Sequence, residues 1–296
     1  MFKKRNEVIE NLSRLPKTPF QEVFMSLKEN KRFLVGFGFL VLVVIMALFA
    51  DIIAPFGMKE QNLSNALAKP SLDHLFGTDH LGRDVFSRVV YGARTSLTIG
   101  LSAVSISLLF GGILGILAGY YKGLLDVVIM RVSDVLLSIP SILLAIAIVA
   151  SFGAGMFNMI VAISIGNIPI FARIIRSNVL ALSEKQFIEA SHALGSSNLR
   201  IIVSHIIPNT LSAIIVQSSL GIASAILSAA GLGFIGLGLE SSVAEWGLML
   251  SSGRAYIRTH TYLTIYPGLA IMFSILAFNM LGDGIRDALD PKMRER

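Results

Sequence analysis

The sequence predicts an all-α polytopic membrane protein with six transmembrane helices. Three observations carry that prediction. Hydrophobic residues make up 54% of the chain and charged residues 15%, where a soluble domain is roughly 25% charged. Mean hydropathy is +0.72. Apolar runs near 20 residues, the length that crosses a ~30 Å hydrocarbon core, recur along the chain between polar segments.

The runs fall at 33–54, 96–120, 124–151, 156–175, 206–232 and 265–281. The first follows a 32-residue polar segment without a small-residue cleavage site, so it reads as an anchor rather than a removable leader. That segment is basic, carries Pro16 and Pro19, and reads as an interfacial helix or an arm. The third run is overlong. Asp126, Arg131 and Asp134 place its first turns at the interface, Arg131 and Asp134 are spaced to pair with each other, and Pro140 predicts a kink. Domain limits follow: 1–32 as an N-terminal segment, 33–291 as the membrane domain and 292–296 as a tail.

Charge orients the spans. Of 25 lysines and arginines, 18 fall on the side that holds both termini and the 183–208 segment, and 7 on the other. The positive-inside rule then puts both termini and that segment in the cytoplasm. The net charge of +6 is a topology signal and carries no nucleic-acid footprint. The absence of cysteine removes disulfides, thiolate metal sites and cysteine nucleophiles together.

The 183–208 segment, SEKQFIEASHALGSSNLRIIVSHIIP, is polar in an otherwise apolar chain. Ser183 and Gln186 are spaced as a capping box. Phe187, Ala190, Ser191 and Leu194 then share one helical face. Gly195 is the residue type that ends a helix in a left-handed turn, and Ser196 or Ser197 can cap a second helix. A helix, a sharp turn and a helix with a narrow face of small residues suit a partner's groove.

Glu189-Ala190-Ser191, Gly195 and Ile207-Pro208 resemble the EAA loop of ABC importer permeases, whose pattern is E-A-A, three residues, G, nine residues, I-x-L-P. The chain departs from it at Ser191, His205 and Ile207. Two further stretches, Phe76-Gly77-Thr78-Asp79-x-Leu81-Gly82-Arg83-Asp84 and the run from Asn279 to Pro291, resemble C-type permeases of peptide importers. The resemblance implies a type I ABC importer permease fold. It implies one permease subunit of an ATP-driven importer of di- or oligopeptides in a bacterial or archaeal cytoplasmic membrane. The implied partners are a second, similar permease in a heterodimer, two ATP-binding subunits that carry ATP and Mg, an external solute-binding protein, and lipid. No cofactor is expected on this chain. Phe187, Glu189, Ala190, Ser191, Ala193, Leu194 and Gly195 are the expected contacts with the ATP-binding subunits. Nickel, metal chelates and other small solutes are alternative cargoes of the same machinery.

Elsewhere the signals are weaker. Gly111, Gly115 and Gly119 form two overlapping G-x-x-x-G steps, which serve close packing inside one subunit, against a second permease, or along a solute path. Arg173 and Arg176 read as snorkelling at a span end, and Asn167 and Gln217 as inter-helix hydrogen bonders. Between the fifth and sixth spans, Trp246, Glu245 and Arg254 read as an aromatic belt, a docking surface or a gate. In the 55–94 segment, Asp73, His74, Asp79, His80 and Asp84 lack metal-site spacing, so turns, with Arg83 paired to a carboxylate, are expected instead. No Ser–His–carboxylate set supports a membrane hydrolase, and no G-x-x-x-x-G-K-[ST] loop supports nucleotide hydrolysis by the chain itself. A secondary transporter, the competing class, would show midplane carboxylates or broken helices, and the sequence shows neither clearly. A scaffold would bind partners and move nothing.

Overall fold

A computed structural model describes residues 19–289. The basic tip of the N-terminal segment with Pro16, and the chain from Asp290 on, lie outside the described residues. Among the described residues every named element is helical. In order these are α1 (Pro19–Glu29), α2 (Lys31–Leu48), α3 (Ala50–Ile53), α4 (Val85–Tyr121), α5 (Gly123–Leu137), α6 (Ser141–Phe152) and α7 (Met156–Ser183). There follow α8 (Gln186–Ala193), α9 (Asn198–Ile201), a π-helical turn (Ile202–Ile206), α10 (Ile207–Ile235), α11 (Trp246–Gly253) and α12 (Tyr262–Leu289). Five helices are long and apolar enough to cross a membrane, and six spans result if α5 and α6 count together.

The third span is broken, not merely kinked. α5 and α6 meet at 85°. Pro140 has no N–H to donate and disfavours helical geometry at Ile139. The chain therefore leaves the helix at Ser138, and α6 starts anew with Pro140 as its N-cap. The second span is longer than its apolar core: α4 begins at Val85, capped by Asp84, whose Oδ2 accepts from Ser87 N at 2.7 Å. Arg88 and Arg94 interrupt the hydropathy of this start, and both are hydrogen-bonded within the chain. Arg88 donates to Met58 O and Val243 O, and Arg94 donates to Ala47 O and to Asp51.

α4 and α7 form the central pair. A Cβ at Gly111 would lie 2.6 Å from Ile168 O, one at Gly115 2.6 Å from Ala172 O, and one at Gly119 2.8 Å from Arg176 O. The partners step by four in the same direction, so the helices run parallel with their backbones in contact. The glycine stripe is thus an intra-chain seam, where small residues maximise dispersion contact in lipid. Ser107 and Ser164 cross-link the same pair, each hydroxyl donating to a backbone carbonyl of the other helix. α10 and α12 pack beside this pair, and α2 runs antiparallel to α12, with Gly36 against Met280 and Gly284 against Phe33.

Two apolar clusters result. One joins α4, α6, α7 and α10 to the polar hairpin, through Phe171, Ile175, Val179, Ile188 and Ile206. The other joins α2, α4, α10, α11 and α12 around Trp246. The first runs the length of α7, from Met159 to Val179 and on to the hairpin, and the second lies beside it; the two ends of the bundle are called below the hairpin end and the cap end.

Candidate functional site

At the hairpin end, α7 runs through Ser183 before the chain turns into α8. The expected capping box does not form. The Ser183 hydroxyl donates to Val179 O at 2.7 Å, because a serine still inside a helix is captured by the carbonyl four residues back. Lys185 is the N-cap and contributes no side-chain bond. The turn after α8 is as expected. Gly195 sits at φ +79, with Gly195 N donating to His192 O and Ser196 N to Ser191 O, the paired bonds of a Schellman motif. Nothing lies within 4 Å of a Cβ placed on Gly195, so the backbone conformation, not space, demands glycine there. Ser197 caps α9, accepting from Arg200 N at 3.4 Å.

The hairpin has one anchored face and one open face. Ile188, which the sequence reading passed over, is 1% exposed and packs with Val179, Ile201 and Ile206. Its signal was the apolar residue opposite the small-residue face. Phe187 is 44% exposed and Leu194 86%. Glu189, Ala190 and Ala193 are exposed, and Ser191 is half-buried, its hydroxyl donating to Phe187 O at 2.9 Å. The candidate residues thus share one protruding surface. Tyr120, at the end of α4, steadies it: its hydroxyl donates to Asn198 Oδ1 at 3.1 Å and lies 3.4 Å from His192 Nε2. Lys122 and Glu184 pair across the same end at 3.5 Å.

The charges near this end pair differently from expectation. Asp134 takes Arg173 at 2.6 Å rather than Arg131, and Arg176 holds Asp126 with two hydrogen bonds, one of them 2.6 Å from Nη2 to Oδ2. Neither arginine simply snorkels. Both tie α7, which leads into the hairpin, to α5. A bidentate arginine–carboxylate contact gains more than a single-point one, and the Arg176–Asp126 pair is the more covered of the two, the Arg173–Asp134 pair staying half exposed. Asn167 bonds to Ile163 O within its own helix, and Gln217 forms no hydrogen bond among the described residues. Neither is the inter-helix link expected.

At the cap end the docking reading fails for two of its three residues. Trp246 is 0% exposed, and its indole N–H donates to Val89 O at 3.0 Å. Nor is it a lipid-belt residue. It fills the space left by Gly92, where a Cβ would stand 2.6 Å from the indole Cδ1. Glu245 is equally buried and caps α11, accepting from Gly247 N at 2.8 Å and Leu248 N at 2.7 Å. Burial raises its carboxyl pKa to about 7, against those two bonds. Arg254 alone stays exposed, over the Phe234 ring at 5.6 Å. The 62–84 loop closes over this end. Arg83 binds Asp79 at 2.6 Å, as expected, and donates to Ser241 O at 2.8 Å. His74 Nδ1 lies 3.0 Å from Asp84, and the Tyr262 hydroxyl donates to Ala68 O at 2.9 Å.

Long apolar helices in a bundle, with one protruding polar hairpin, make this a multi-pass membrane protein. Residues 111–295 match the family described as binding-protein-dependent transport system inner membrane component, and residues 18–70 match the N-terminal TM domain of oligopeptide transport permease C. The chain belongs to this family of ABC permeases. The dipeptide transport system permease protein DppC of Alkalihalophilus pseudofirmus is 50% identical over 277 residues, 94% of this chain and 91% of that one. The glutathione transport system permease protein GsiD of Escherichia coli O157:H7 is 43% identical over 99% of both chains. The di/tripeptide transport system permease protein DppC of Pseudomonas aeruginosa is 44% identical over 94% of this chain and 93% of its own. Among solved structures, the MetNI methionine ABC transporter in an inward-facing conformation matches with a TM-score of 0.58 and 18% identity, over 69% of this chain and 98% of that one. That likeness shows the fold, the type I ABC importer permease fold. The broken third span therefore belongs to an ABC permease and gives no support to a secondary transporter.

Proposed function

We propose that this chain is one permease subunit of an ATP-driven importer of di- and oligopeptides, in a bacterial or archaeal cytoplasmic membrane. Both termini and the hairpin face the cytoplasm. Phe187, Glu189, Ala190, Ser191, Ala193, Leu194 and Gly195 form the surface that enters a cleft on an ATP-binding subunit. ATP and Mg bind those subunits, a second, homologous permease completes the path, and an external binding protein delivers solute. This chain itself catalyses nothing.

The observation that carries the reading is the hairpin's asymmetry. Ile188 is locked into the bundle while Phe187 and Leu194, large and apolar, stand in the open. Exposed apolar residues on a rigid mount suit burial in a partner. The mount also reaches the path, because α8 follows α7 directly and α7 is ion-paired to α5. Closure of the ATP-binding pair would favour one position of the hairpin over another, and that difference in contact is the whole of the coupling. Peptide cargo is supported by the relatives named above. Glutathione, itself a peptide, is within the same class, and nickel and chelates stand as alternatives.

The test is binding-protein-dependent uptake of labelled dipeptide, glutathione and nickel by cells carrying the complete transporter. Glu189→Lys and Ala193→Asp should abolish uptake and reduce co-purification of the ATP-binding subunits, with the chain still inserted. Normal uptake by both variants sinks the coupling assignment. Loss of nickel uptake alone keeps the machine and changes its cargo.

A further inference from the structure

Between α7, α10 and α12 the bundle leaves a cavity of about 460 Å³. Pockets for small molecules run from roughly 300 to 1,000 Å³. Its walls carry Ile174, Val216 and Leu220, and its polar groups are Ser212, Gln217 and Arg286. Residues 212, 216 and 220 repeat at helical spacing, so the cavity follows one stripe of α10.

Several nearby polar side chains are spent inside the chain: Asn178 donates to Ile174 O, Thr210 to Ile207 O and Ser219 to Phe278 O. Ser212 and Gln217 make no such bond among the described residues. Arg286 forms no ion pair among them either, although Asp283 and Asp287 share its helix. No acidic residue lines the cavity. An amide, a hydroxyl and a guanidinium left open around an apolar wall can satisfy a ligand that brings a carboxylate, an amide and apolar side chains. Ser212 and Arg286 are exposed and Gln217 is half-buried, and a purely apolar occupant would strip these groups of water without replacing its hydrogen bonds.

We propose that this cavity is a transit site for the solute, holding the carboxylate of a small peptide against Arg286 and its backbone amide against Gln217, with Ser212 beside them. It rests on the reading of the chain as a peptide-importer permease. Arg286 supplies the planar fork that fits a carboxylate with two hydrogen bonds. Val216, Leu220 and Ile174 make shape-tolerant contact with varied side chains, as a carrier of many peptides requires. None of these residues belongs to the hairpin surface.

Because the chain has no cysteine, Ser212→Cys introduces its single thiol. In the complete transporter, with any cysteines of the other subunits removed, excess free-acid dipeptide should slow maleimide labelling of Ser212→Cys about tenfold. The C-terminally amidated dipeptide should not, and protection should vanish when Arg286→Gln is added. In cells, Gln217→Leu should cut dipeptide uptake about tenfold while the ATP-binding subunits still co-purify with the chain. Equal labelling with and without dipeptide, or full uptake by both Gln217→Leu and Arg286→Gln, overturns the proposal and assigns the cavity to lipid or to the second permease. A wild-type transporter that imports no dipeptide, yet shows dipeptide protection of Ser212→Cys, refutes the peptide-importer reading and leaves the site standing.

Discussion

The two polar ends of this bundle are built on opposite plans. At the cap end, Trp246, Arg83 and Arg88 are buried and donate to the carbonyls of Val89, Ser241 and Val243, while buried Glu245 accepts from the first amides of α11, those of Gly247 and Leu248. At the hairpin end, the candidate residues are exposed, and the backbone is held by a left-handed glycine, two turn bonds and one buried isoleucine. The cap end uses its polar groups for cohesion within the chain. The hairpin end keeps its surface for something outside the chain. Residue type alone does not separate the two: the only tryptophan lies on the cohesive side.

The largest test of that contrast is Trp246→Ala, which empties a filled pocket and leaves Val89 O without its donor. Full truncation of a buried tryptophan costs about 3–5 kcal/mol. The expected outcome is a marked drop in thermal stability and membrane abundance. Trp246→Phe should recover most of it, since it restores packing and lacks only the hydrogen bond. A Trp246→Ala protein with unchanged melting temperature would show that the cap end is not the cohesive one.

A second test uses pH. The Glu245 carboxyl stands at about 7 when folded against 4.5 for the free group. A raised folded-state value means that folding takes up a proton between those two limits. The contribution of Glu245 to stability is therefore fully present below pH 4.5 and is lost as pH rises toward 7, by up to about 3 kcal/mol at ~1.4 kcal/mol per unit. Thermal unfolding in detergent between pH 4.5 and 7.5 should show this slope, and Glu245→Gln should flatten it. A slope of the opposite sign would mean that the capped α11 amides outweigh burial.

The smallest expected effect on stability lies at Gly195. Placing alanine at φ +79 costs about 1 kcal/mol, and nothing surrounds its Cβ. Gly195→Ala should insert and melt almost normally. Gly195→Val, strained further by its branched side chain, should still insert but lose uptake. Wild-type uptake with valine would remove the turn from the coupling argument.

Much of this was legible beforehand. The span count came from run length, because a bilayer imposes one dimension on every crossing helix. The glycine at 195 and the cap at 197 were legible because turn chemistry is local. The glycine stripe marked a close helix pair, though not its partner. The misreadings share a cause. Ser183 has the spacing of a cap, but the sequence does not mark the end of α7, and Asp134 has a same-helix partner in Arg131, while its cross-helix partner Arg173 is 39 positions away. Trp246 reads from sequence as a belt, docking or gate residue because Gly92, the residue it packs on, is 154 positions away along the chain.

What the sequence determined by itself is therefore whatever depends on neighbours along the chain: the helical class, the spans, the left-handed turn and the polar hairpin. Tertiary structure alone decided which polar residues are spent inside the bundle and which are left open. A charge or an indole in a membrane protein takes whichever partner reaches it across helices. That choice sets Arg173 on Asp134, buries Trp246 under Val89, and leaves Gln217 and Arg286 without a partner among the described residues in one cavity.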